Sequence, residues 1–174
     1  MSELEKKYET AVKDAGYEPF EVLSEKWGIY ALVDGSYLKL RANVIKIARQ
    51  TDASGNINFT VNSNLTIGVI SPKNLRGAPS TKPATPEELS ANLVDDDVDF
   101  TTVKEEWSKF KLQDGTILSV KAIPIKVARY SLYDPAGEPH YNVNNQLIVK
   151  AKVPEELRKK GVKVQTSGHP TFIT

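Results

Sequence analysis

One segment is written twice. Residues 34–49 read DGSYLKLRANVIKIAR and residues 114–129 read DGTILSVKAIPIKVAR. The copies share an Asp-Gly pair (Asp34, Gly35; Asp114, Gly115), a leucine at the same distance beyond it (Leu38; Leu118), and the closing run Ile-Lys-[Ile/Val]-Ala-Arg. Self-similarity at this separation means one folding unit used twice. An Asp-Gly pair between alternating apolar residues marks a β-hairpin, so the unit is antiparallel β.

The long strand after each Asp-Gly changes phase. Leu38, Leu40, Ala42 and Val44 share one parity, and Ile45 and Ile47 introduce the other; Leu118, Val120 and Ala122 give way to Ile125 and Val127, with Pro124 at the change. Proline cannot donate to a ladder, and one extra residue exchanges the faces of a strand, so a β-bulge is expected at Val44 and at Pro124. Ahead of each hairpin a short strand puts Tyr30 and Leu32, or Phe110 and Leu112, on one face, and each copy begins near an aromatic pair, Phe20 with Trp27 or Phe100 with Trp107. The hairpins are expected to be two-residue turns with positive φ at both Asp and Gly.

A third strand alternates in each copy. Ile57, Phe59, Val61, Leu65, Ile67 and Val69 oppose Asn58, Thr60, Asn62, Asn64 and Thr66, while Tyr141, Val143, Leu147 and Val149 oppose His140, Asn142, Asn144 and Gln146. Such a strand has one wet face. Each copy then closes on a proline turn at Pro72 or Pro154, the second expected as a helical turn running to Gly161. Residues 2–15 read as a helix capped by Ser2 and Glu5, its apolar stripe (Leu4, Tyr8, Ala11, Val12, Ala15) laid over a sheet, and a second helix is expected to start at Thr85.

The fold class is therefore mainly β (α+β): a tandem duplication of a three-stranded antiparallel meander with short capping helices, closing as a six-stranded pseudo-twofold barrel or as two packed small sheets. The segments are an N-terminal helix (1–19), a first β repeat (20–77), a linker with a helix (78–99), a second β repeat (100–161) and a C-terminal tail (162–174) that pairs as an extra strand or docks on a neighbour. A shared core is favoured, since three strands alone bury little.

Apolar residues make up 40% and charged residues 26%, with a net charge of +1, so a surface for nucleic acid must be local, not global. The absence of cysteine removes disulfides and thiolate chemistry, and His140 and His169 fit no zinc spacing. No cofactor motif, phosphate loop or nucleophile elbow is present. Nothing at the N-terminus reads as a signal peptide and no run reads as a membrane span. The expectation is a cytoplasmic protein without membrane attachment, although packaging in a virion would leave the same trace.

The candidate site residues are those repeated or singular on the strands. Lys46, Arg49, Lys126 and Arg129 form paired basic positions that either grip phosphates or, in the plainer reading, cap strands, each Arg pairing with Asp52 or Asp134 across its hairpin. Asn62 and Asn144 centre rows of outward amides able to hydrogen-bond a ligand or another strand. His140 stands where the first copy has Asn58. The acidic run from Asp95 to Asp99 lacks the glycine and terminal glutamate of a calcium loop and reads as a solvated linker. From these features the expected function is a non-catalytic binding or assembly module offering two equivalent β surfaces to a protein partner or to copies of itself. The alternatives are a nucleic-acid-binding barrel using the strand-end Lys and Arg, and a small-molecule or enzymatic pocket at the barrel mouth.

Overall fold

The computed structural model describes residues 1–157 in full and, of the remainder, the backbone of residues 164–167 and 170–173. The first half contains helix α1 (Glu3–Asp14) and strands β1 (Phe20–Ser24), β2 (Gly28–Leu32), β3 (Tyr37–Thr51) and β4 (Ile57–Ile70). The second contains helix α2 (Pro86–Ala91) and strands β5 (Leu93–Asp95), β6 (Phe100–Lys104), β7 (Ser108–Leu112), β8 (Ile117–Tyr133) and β9 (Pro139–Lys152). The tail adds β10 (Val164–Ser167) parallel to β4 and β11 (Pro170–Ile173) antiparallel to β9.

The chain is mainly β, arranged as two sheets that are antiparallel except at β10, and the described residues form no closed barrel. The reason lies in β1 and β6, strands that the alternation of the meander did not announce. β1 does not pair within its own half; it joins β7, with Phe20 opposite Leu112 and Val22 opposite Phe110. β6 in turn joins β2, with Phe100 opposite Leu32 and Thr102 opposite Tyr30. The sheets therefore run β1-β7-β8-β9-β11 and β10-β4-β3-β2-β6. The first half lends β1 and the second lends β6 to the other's sheet, and each lent strand lies at the end of that sheet's strand order. Closure would need those ends to meet.

The phase change behaves as its sequence demands. Val44 lies opposite Ser63 and Lys46 opposite Asn62, so Ile45 is the extra residue; Pro124 lies opposite Asn145 and Lys126 opposite Asn144, so Ile125 is. The consequence for packing is large. Before the bulge, Leu38 and Leu40 pack in a core with Tyr30 and Leu32; after it, Ile47 enters a different core with Phe110, Leu112, Leu118 and Val120. Val127 makes the reciprocal crossing into the core of Tyr30 and Leu38. Both cores draw residues from both halves, so neither half closes its own interior.

Two local expectations are corrected. Among the described residues only glycines have positive φ, so Asp34 and Asp114 do not adopt the two-residue hairpin turn. Gly35 N–H bonds to Leu32 O and Leu32 N–H to Ser36 O, which makes a three-residue loop with Gly35 (φ 97°) in the left-handed position. The Asp34 carboxylate instead accepts the Ser36 amide at 2.9 Å, and Asp114 accepts that of Thr116 at 2.8 Å. Helix α1 is capped as expected, Ser2 Oγ accepting Glu5 N–H at 3.1 Å, but it is not laid over a sheet: none of its residues is buried, and Leu4 and Tyr8 face solvent. The proline turns are single 3-10 turns, Lys73–Leu75 and Glu155–Leu157; the rest of the helical turn expected up to Gly161 lies outside the described residues.

Candidate binding surface

The bulges decide what each sheet shows to solvent. An extra residue on a strand has no partner across the ladder, and here its side chain turns outward. Ile45 is 45% exposed and Ile125 56%, whereas Ile47 and Val127, two residues on, are fully buried. The next residue in each case is an exposed lysine whose cross-strand neighbour is an asparagine: Lys46 with Asn62, Lys126 with Asn144. Four of the seven candidate residues thus gather into two matching patches, Ile45–Lys46–Asn62 and Ile125–Lys126–Asn144. Asn62 is exposed and Asn144 half-buried.

The surroundings of the patches differ. Beside the first, α1 and the chain leading to β1 enclose a mostly apolar hollow of about 650 Å³ lined by Tyr8, Val12, Ala15, Phe20, Ile45 and Lys46. The Lys46 ammonium sits 5.1 Å from the centre of the Tyr17 ring. Beside the second, Lys126 lies 3.8 Å from Asp96 and borders a hollow of about 210 Å³ with Leu93, Tyr130, Asn142 and Asn144. The acidic run is not a plain linker: Asp95 is in β5, and Val98 between the acids is buried, donating its amide to Val127 O at 2.7 Å. Glu18, eighty positions earlier, donates its amide to Ile47 O in the same way at 2.8 Å. No cluster of His, Asp or Glu able to hold a metal is found among the described residues.

Arg49 and Arg129 are not part of these patches. The turns at Asp52 and Asp134 are closed on themselves, each carboxylate accepting amides two and four residues on, so neither is free for the arginine of its own half. Arg49 pairs instead with Asp114, also reaching Thr116 Oγ1 at 3.3 Å, and Arg129 pairs with Asp34 at 3.1 Å. Each arginine, carried past its bulge, clasps the hairpin turn of the other half. The two clasps are unequal. Tyr141 stands where the first half has Phe59, and its hydroxyl donates to Asp34 at 2.7 Å and lies 2.9 Å from Ser36 Oγ, which reaches Ser71 Oγ at 3.0 Å. Burial, partly offset by the Ser36 bond and reinforced by Asp34, pushes the Tyr141 phenol above its ordinary pKa. At Asp114 burial opposes ionisation, but the Thr116 amide and hydroxyl and the Arg49 guanidinium more than offset it and hold the carboxyl low.

His140 is half-buried on the outer face of β9, in a hollow of about 240 Å³ formed with Pro83, Ala84, Leu89, Tyr130, Tyr141 and Asn142. It lies beneath the linker and not at a barrel mouth. The interior between the sheets is filled by Leu, Val, Ile and aromatic side chains. Sequence reasoning missed the residues of the clasp other than the arginines. The Ser36 and Thr116 hydroxyls had one signal, their place directly after Asp-Gly; Tyr141 and Ser71 had none. Comparison with protein-family models, with curated proteins and with solved structures returns no match.

Proposed function

We propose that the chain is a non-catalytic binding module, built by duplication of one β unit, that holds two matched apolar-and-basic patches in fixed relation for another protein chain or a second copy of itself. The observation that carries this reading is the paired outward display of Ile45 and Ile125 at the bulges. A single exposed aliphatic is ordinary. Two at corresponding positions, each followed by an exposed lysine whose cross-strand neighbour is an asparagine, are not required by the ladder, which needs only an extra residue there. The duplication is supported by the matched bulges, the matched amide bonds of Glu18 and Val98, and the reciprocal clasps. Strand exchange and the clasps supply rigidity, which lowers the ordering cost of engaging both patches at once.

The test replaces the two isoleucines together. The Ile45→Asp/Ile125→Asp variant is expected to keep the fold, because both side chains are about half exposed and outside the two cores, and to lose about tenfold or more in affinity for itself or for a captured partner. Light scattering over a concentration series, with cross-linking in cell extract, measures both. Unchanged association in the double variant, or a strict monomer that captures no partner, counts against the proposal.

A further inference from the structure

The outer faces of the two sheets have diverged, and the difference is one of charge. On the second sheet, β7 presents Lys109 and Lys111 outward, and β9 presents Lys150 and Lys152. The register aligns them across the central strand: Lys109, Ser119 and Lys150 form one row, and Lys111, Ile117 and Lys152 the next. On the first sheet the corresponding rows are Ile29, Lys39, Gly68 and Ala31, Tyr37, Ile70. The fold therefore makes no demand for lysine at these positions.

Within each strand the two lysines are separated by about 6.8 Å, and the two strands by about 9.6 Å. These distances are near the ~8 Å screening length of physiological salt, so the ammonium groups repel one another through the solvent. Among the described residues Lys109, Lys111 and Lys152 carry no ion pair. Lys121, on the same face, is held at 2.7 Å by Glu105, whose carboxyl is kept below its usual range chiefly by that bond. Lys121 and Lys150 both lie 4.5 Å from the centre of the Trp107 ring, which fixes their ammonium groups over the sheet. With Glu21 opposite Lys111 and Glu105 at the margin, the face has more cations than anions on a chain whose net charge is +1.

We infer that this outer face of β7, β8 and β9 is a binding surface for single-stranded nucleic acid. Two parallel rows of cations suit a phosphodiester chain, whose charges repeat at a comparable step along an extended strand. Between the two lysines of β7 and the two of β9, half-buried Ile117 and Trp107 lie beside buried Ser119, a low floor on which base faces can lie. A membrane surface fits less well. Ile117, Ile123 and Ile148, the isoleucines nearest these lysines on the face, are half-buried, and the exposed Ile125 lies farther along β8 at the bulge, so no large apolar side chain stands above the four lysines to enter a bilayer. A duplex fits less well too, because the face is a flat sheet and presents no element to a groove.

The test is fluorescence anisotropy of a fluorescein-labelled oligothymidylate of about twelve nucleotides, titrated with the whole chain at several salt concentrations. Binding is expected at low salt. For Lys109→Gln/Lys111→Gln/Lys150→Gln/Lys152→Gln the affinity is expected to fall at least tenfold, and the slope of log K against log salt by about 0.7 for each lysine removed. The Lys39→Gln/Arg41→Gln variant, on the other sheet, should stay within about twofold of the parent. Binding by the quadruple variant equal to the parent, or no binding at low salt, overturns the inference. So does tighter binding to phosphatidylserine vesicles or to poly-glutamate than to the oligonucleotide.

Discussion

Replacing Asp34 by alanine is expected to lower the unfolding free energy by about 3–5 kcal/mol, the range seen when one partner of a buried ion pair is removed. The Asp34 side chain is only 9% exposed, and one carboxylate serves the Ser36 amide, the Tyr141 hydroxyl and the Arg129 guanidinium. Alanine leaves that guanidinium, itself 21% exposed, facing a turn with no charge to meet it. Asp114→Ala is expected to cost less, about 1–3 kcal/mol. Asp114 is 23% exposed, and Phe59 in place of a tyrosine offers no hydroxyl to orphan. Urea denaturation of the two variants measures the difference; equal costs, or a smaller cost at Asp34, would mean that the clasps are not what the geometry makes them. Asp34→Asn separates charge from turn geometry, since the amide oxygen still accepts the Ser36 amide while the ion pair is lost.

The second large effect comes from neighbours on one strand. Ile47→Ala is expected to cost about 2–5 kcal/mol, as for other buried aliphatics cut back to alanine, because its side chain is fully buried in a core shared with Phe110, Leu112, Leu118 and Val120 of the second half. Ile45→Ala, two residues earlier and chemically the same change, is expected to cost under about 1 kcal/mol. A strand without a bulge would place residues 45 and 47 on one face, and the two substitutions would then have similar costs. Thermal melts of the pair read this directly, and a difference below about 1 kcal/mol would contradict the face exchange.

Periodicity tells which face a residue occupies but not which strand lies beside it, and this divides what was legible in the sequence from what was not. The buried set Leu38, Leu40, Ile47, Leu118, Val120 and Val127 and both bulge positions were readable, because parity and Pro124 are local signals. The exchange of β1 and β6 was not. Phe20 and Phe100 are each compatible with pairing in either half, and the choice rests on contacts across some ninety residues of chain, such as Phe20 edge-on to Phe110 with ring centres 5.7 Å apart. The partners of Arg49 and Arg129 were lost with it, since an arginine at a strand end was assigned to the nearest acid in sequence. The α1 stripe gave the helix correctly but not its packing, because amphipathic spacing states only that a face is suited to being covered. The lysine rows were visible as alternation on two separate strands; only the register across β8 sets them side by side.

Strand exchange is what makes the two halves one body and fixes the two isoleucine patches relative to each other. The chain contains no cysteine, so an introduced pair reports without interference. Glu21 lies opposite Lys111 across β1 and β7, within the Cα separation that a disulfide spans. Without exchange Glu21 would instead face Ala31, as Thr101 does now. Oxidation of the monomeric Glu21→Cys/Lys111→Cys variant, followed by peptide mapping, is expected to give a bridge joining the two halves, and Glu21→Cys/Ala31→Cys to give none. A bridge in the second variant and none in the first would contradict the exchanged fold.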